Sequence, residues 1–151
     1  MVNDPAGYSA RNRTTHVEKR DDISKLDVEE LVLRRAIENC PIVEVIEYEN
    51  EVRWRRGKLE SLLWFDALVW LLDENTPFAK GMIDLLPHQP RGGQPRLIEE
   101  KQDYCAHHDF PLLQTPADEL TGFRIKMWVW QQRRKRTTQQ EKEDEQTDTT
   151  R

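Results

Sequence analysis

LESLLWFDALVWLLD (Leu59–Asp73) can form either a core helix or a strand, and the rest of the chain sorts itself around that choice. Its length and leucine content suit a helix. Its alternation suits a strand: Leu63, Phe65, Ala67, Val69 and Leu71 fall in one row, and Leu62, Trp64, Asp66, Leu68, Trp70 and Leu72 in the other. Two apolar rows predict a strand buried on both faces. The turn signal DENTP follows, and then FAKGMIDLL, a short apolar run suited to be its hairpin partner. Upstream, PIVEVIEYE is β-branched and aromatic and reads as a strand. NEVRWRRGK continues it or connects it onward, with a turn at Gly57.

Helical signals bracket these strands. SKLDVEELVLRRAIENC opens with a capping-box pattern at Ser24 and Asp27, and apolar residues recur at helical spacing from Leu26 to Cys40. This predicts a helix over about 25–39, ended by Pro41. PHQPRGGQP is a loop. From Pro95 onward, Leu97, Ile98, Lys101, Tyr104, Cys105 and His108 share one helical face. FPLLQT is a brief strand. The last helix is predicted to start with Thr115 as N-cap and Pro116 at its first position, with Leu120, Phe123, Met127 and Trp130 as its apolar stripe. Trp128 and Trp130 are two residues apart, so they cannot both face inward. The resulting order, α-β-β-β-α-β-α, implies an α/β fold with a mixed sheet and helices on its faces.

Composition sets the limits. The chain has 151 residues, 36% hydrophobic and 34% charged. Residues 1–23 lack apolar pattern and read as a disordered arm, and the acidic 137–151 as a disordered tail. One domain over 24–136 remains, large enough for a single core. No run is long enough to span a membrane, and the first residues carry no secretory h-region. A cytoplasmic protein without a membrane partner is the expectation. Cys40 and Cys105 read as buried thiols rather than a disulfide.

Net charge is −5, unevenly spread. Arg53, Arg55 and Arg56 form one basic cluster. Arg124, Lys126, Arg133, Arg134, Lys135 and Arg136 form another, in a segment with no anion. Cations interleaved with Trp suit phosphate and base contacts, so both are candidate nucleic-acid surfaces. The ordinary alternative is a solvated face.

The stretch EEKQDYCAHHDFPLLQT concentrates Lys, Cys, His and Asp. His107 and His108 point about 100° apart on a helix and cannot grip one ion together. Cys105 falls on the apolar face. A zinc site would lack ligands, and the His pair reads as a helix end. The stronger chemical signal lies upstream. Asp66 interrupts LLWFDALVWLL and Asp84 interrupts GMIDLL. A carboxylate in an apolar strand is costly unless it has a partner or a metal. Two such acids on adjacent strands can converge on one divalent cation, a geometry that suits phosphodiester hydrolysis. Pairing with a nearby Arg is the competing explanation.

The element order resembles the core of the PD-(D/E)XK nuclease superfamily, and Lys101, Tyr104, Cys105 followed by HDFPLLQTP resemble its very-short-patch-repair-endonuclease-like branch. WFDALVWLLDENTPFAKGMIDLLPH is similar to that branch's acid-bearing hairpin. The resemblance covers residues 25–115 and implies a restriction-endonuclease-like αβββαβ core plus a C-terminal helix. It also implies Asp66 and Asp84 as Mg²⁺ or Mn²⁺ ligands and catalytic acids, with His88 and Glu29 or Glu30 at the edge. The family's acid-x-Lys motif is broken here, since Leu85 and Leu86 follow Asp84. Lys101, on the following helix, would take the lysine's catalytic role. PLLQT ends in Gln where Arg is common.

Three readings follow. The first is a metal-dependent nuclease hydrolysing DNA. The second is a catalytically inactive nuclease-fold module that binds nucleic acid or a protein through its last helix and tail. The third is a helical regulator in which residues 59–73 are a core helix.

Overall fold

The computed structural model describes residues 27–149. Its elements are α1 (Val28–Glu38), β1 (Val43–Arg56), β2 (Leu59–Asp73), β3 (Thr76–Leu86), α2 (Gln94–His107), β4 (Leu112–Pro116), a 3-10 turn (Ala117–Glu119) and α3 (Gly122–Thr149). The strands form one mixed sheet in the order β1-β2-β3-β4. The first three are antiparallel, and β4 runs parallel to β3 after the crossover through α2. The fold is therefore α/β with a four-stranded mixed sheet, and residues 59–73 are a strand. The arm 1–23 and Ser24 lie outside the described residues.

Several local expectations need correction. Asp27 caps α1: its Oδ1 accepts from the Glu30 backbone N–H at 2.8 Å. Thr115 and Pro116 end β4 instead of opening the last helix, and Thr121 accepts from the Arg124 N–H at its start. The tail is helical to Thr149. Gln, Glu and Lys dominate it, and all are good helix formers. The second row of β2 is not fully buried: Leu62 is 47% exposed, and Trp64, Asp66, Leu68 and Trp70 are half-buried. Its cross-strand neighbours Glu51 and Arg53 keep this face polar.

The last helix turns a different face inward from the one its sequence suggests. Ile125, Trp128 and Val129 are buried, whereas Phe123 is 67% and Trp130 41% exposed. Both sets have helical spacing; the contacts with α1 and β2 select the first. Gly81 explains part of the fit. A Cβ there would lie 2.8 Å from the Trp128 ring and 3.3 Å from the Pro111 carbonyl oxygen. Gly81→Ala is therefore expected to cost about 1–3 kcal/mol by overpacking, measured by urea denaturation. Arg133, read as a phosphate contact, donates instead to the Leu72 carbonyl and lies 3.7 Å from Asp73, fastening α3 to the end of β2.

One irregularity prepares the site. Glu49 in β1 has φ 52, in the left-handed region that a glutamate seldom adopts. It falls between the pairs Tyr48↔Ala67 and Asn50↔Phe65, opposite Asp66. On one side of this point, Tyr48 and Ala67 pack with α1 and α3. On the other, Val52, Trp54, Leu63 and Phe65 pack with Tyr104 and Cys105 of α2. Asp66 sits where the hairpin changes its cover.

Candidate active site

β2 and β3 stay paired as far as Ala67↔Ile83. Asp66 and Asp84 are the next residues along the two strands. There the regular ladder stops, and the Leu85 N–H donates at 2.7 Å to Oδ2 of Asp66. The side chain thus satisfies a backbone donor that would otherwise be left unpaired. From α2, Lys101 Nζ reaches both oxygens of Asp84 at 3.1 Å. Asp84 is 3% exposed. The three side chains that the sequence singles out converge.

The electrostatics follow from this crowding. Burial pushes the Asp66 carboxyl up to about 7, and the neighbouring Asp84 adds to it by charge and by a shared hydrogen bond. The Leu85 N–H and Lys101 oppose the rise. Two carboxylates in contact cannot both ionise cheaply in a water-poor site, so charge on Asp66 is disfavoured. Cys105, one turn beyond Lys101, is pushed up to about 12, chiefly by burial and then by Asp84. It is an inert thiol, as the sequence suggests.

This donor set suits a hard divalent cation: two carboxylates in contact, whose repulsion a cation relieves. Mg²⁺ commonly takes one or two protein carboxylates and fills its remaining positions with water and substrate oxygens. Among the described residues, no group of three or more His, Cys, Asp and Glu side chains is placed to hold a metal. His88 pairs with Asp118 at 2.9 Å, both largely exposed. Glu29 is exposed and Glu30 half-buried in the first turn of α1. His107 and His108 end α2 against the Trp54 ring.

Glu100, a residue the sequence reading passed over, holds this geometry together. It is 5% exposed, accepts from the Ser61 hydroxyl, and lies 3.3 Å from Arg56 and 3.7 Å from Arg96. Asp103 adds a 3.0 Å contact to Arg56. A buried carboxylate is tolerable only when paired this fully. The cluster clamps α2 onto the hairpin and so sets the position of Lys101, the next residue. Its spacing was the available signal, because Glu100 falls three residues after Leu97 and four before Tyr104, on the inward stripe.

The basic clusters are less free than the sequence implies. Arg56 is committed to α2, and Arg53 and Arg55 lie within 3.9 and 3.4 Å of Glu60. Lys126 lies over the Trp130 ring and Arg136 over Phe78, while Arg134 and Lys135 are exposed. A cleft of about 1200 Å³ runs between α2, β4 and α3, lined by residues including Gln102, Gln114, Arg124, Lys135 and Arg136, with Asp109 and Glu141 at its wall. Gln114 at its edge is in register with Asp84 and accepts from Gln102 at 2.9 Å, but Asp66, Asp84 and Lys101 do not line the cleft. No family model, curated protein or solved structure matches the chain. No helix of the described residues is long and apolar enough to cross a membrane.

Proposed function

We propose that the protein is a divalent-metal-dependent nuclease of the PD-(D/E)XK type, hydrolysing DNA phosphodiester bonds. The observation that carries this reading is the convergence of Asp66, Asp84 and Lys101 from three separate elements. Asp66 and Asp84 are the residues that would hold Mg²⁺ or Mn²⁺. Such an ion, when bound, supplies a Lewis acid for the phosphate and lowers the pKa of a water.

The chain's own groups do the rest. The Leu85 N–H fixes the orientation of Asp66. Lys101 holds Asp84 and offers positive charge to the developing phosphorane. Arg124, Lys135 and Arg136, along the cleft between α2, β4 and α3, supply phosphate contacts. This arrangement would replace the family's acid-x-Lys motif by placing the lysine on α2.

The inactive-module reading draws on a different observation: Lys101 already engages both oxygens of Asp84, leaving the acid satisfied without a metal. One assay separates the two. Single- and double-stranded DNA are incubated with the protein in Mg²⁺, Mn²⁺ or EDTA. Metal-dependent products support the nuclease. No products in any metal, together with salt-sensitive DNA binding that Asp66→Ala leaves intact, would establish the module.

A further inference from the structure

The Lys101 ammonium stands at the edge of Asp84 that a chelated cation would use. Its Nζ lies 3.1 Å from each carboxylate oxygen. Mg²⁺ binds a carboxylate oxygen at about 2.0–2.1 Å, so an ion on that edge leaves no room for the ammonium. Asp84 offers little surface elsewhere, since its side chain is 4% exposed.

Charge balance leads to the same competition. The charged side chains that act on Asp66 are Asp84 and Lys101. With both acids ionised, the three groups carry a single net negative charge. Adding a divalent ion to all three leaves net positive charge in a water-poor site, which is costly without a partner. With the ammonium withdrawn, the ion and the two acids are neutral together. α2 does not withdraw as a body, because Glu100, the preceding residue, is buried and bound to Ser61, Arg56 and Arg96. The flexible stem of Lys101 can swing instead. Its side chain is 17% exposed, with the ammonium 5.6 Å from the centre of the Phe65 ring.

We propose that Lys101 is an internal competitor for the cation: a divalent ion binds Asp66 and Asp84 by displacing the Lys101 ammonium from Asp84. This role rests on the nuclease reading, in which the two acids hold the ion, and it makes Lys101 the residue that sets the threshold and valence of that ion. A monovalent cation would exchange one single charge for another and gain nothing. A divalent cation gains the second charge. The displaced ammonium is then free for a phosphate, so it is unmasked when the ion is in place.

Isothermal titration of the full chain with Mn²⁺ at pH 8 tests the competition. Lys101→Met keeps an unbranched stem and drops the charge. It is expected to bind Mn²⁺ at least about tenfold more tightly than wild type, because losing a neighbouring positive charge favours a divalent ion twice as much as it favours a competing proton. Adding Asp84→Asn should abolish binding in both backgrounds. A second measurement uses wild type alone. Reductive methylation of Lys101, read by mass spectrometry, should quicken severalfold in saturating Mg²⁺ over EDTA as the ammonium loses its partner. Lys101→Met binding no tighter than wild type, or a Lys101 methylation rate that saturating Mg²⁺ leaves unchanged, overturns the inference. Metal binding that Asp84→Asn abolishes would then still uphold the nuclease reading. No binding of Mn²⁺ by wild type or by Lys101→Met overturns both. None of these readouts depends on DNA cleavage.

Discussion

Asp84→Asn is expected to fold normally and to cleave DNA at least a thousandfold more slowly than wild type in Mg²⁺. The amide keeps the shape of the side chain and can still accept from Lys101, but it removes the negative charge at the most buried point of the site. On the nuclease reading, losing one of the two carboxylates that would hold the cation removes both affinity for it and its alignment with the phosphate. Losing a single preorganised electrostatic contact already costs about 10²–10³ in rate, and losing a ligand costs more. Lys101→Ala should be comparably slow, because it strips the ammonium from Asp84 and, on the same reading, from the phosphate. Circular dichroism and the denaturation midpoint serve as folding controls, and turnover on labelled duplex is the readout. Cleavage by Asp84→Asn within tenfold of wild type would remove Asp84 from the chemistry.

Asp66→Asn is expected to do the opposite to stability: the variant should melt higher than wild type at pH 8. The carboxyl titrates near 7 in the folded protein, against 3.8 for its ordinary value. Between these values the folded state binds the proton more tightly than the unfolded chain does. Stability therefore falls as pH rises from about 4 to 7, and stays low above that. At 1.36 kcal/mol per unit, the loss is at most on the order of 4 kcal/mol. Asparagine carries no charge to bury, so its stability should be nearly flat across the same window. The Leu85 N–H can still donate to its amide oxygen. Mg²⁺ should raise the melting temperature of wild type at pH 8 and leave Asp66→Asn unchanged, because only the charged pair gains from a cation. Thermal melts at pH 5 and pH 8, with and without Mg²⁺, decide the matter. Equal pH slopes for the two proteins would show that Asp66 does not carry the burden. A residue that weakens the fold when charged, while its amide strengthens it, is the pattern of a functional acid.

Much of this site is readable along the chain. Asp66 and Asp84 stand out because each breaks an apolar strand, and Lys101 because it shares a helical face with Tyr104 and Cys105. Glu100 does not stand out, although its spacing places it inward, since a glutamate on a helix is ordinarily a surface residue. Its reason for burial lies with Arg56, 44 positions away, and Ser61, 39 positions away. The same distance hides the fate of the basic cluster at Arg53–Arg56, which reads as a free patch until α2 folds across it. Trp54 is likewise turned in, 5.5 Å from the Tyr104 ring.

What the sequence determines by itself is local and periodic. The alternation of residues 59–73 makes a strand, the turn at Glu74 and Asn75 makes its hairpin, and Pro95 starts the helix that carries Lys101. These outcomes depend on neighbours within a few positions, so the order αβββαβα can be read directly. What only the tertiary structure decides is which of several adequate faces is used. α3 has two apolar stripes of similar strength, and periodicity cannot rank them. The choice of Ile125, Trp128 and Val129 comes from the space above Gly81 and from the anchoring of Arg133 at Leu72. The hairpin's change of cover at Asp66 is decided in the same way, by which helix reaches it. Local hydrogen bonding and side-chain spacing suffice to make the elements. Their faces are assigned only when distant surfaces compete to bury the same apolar area.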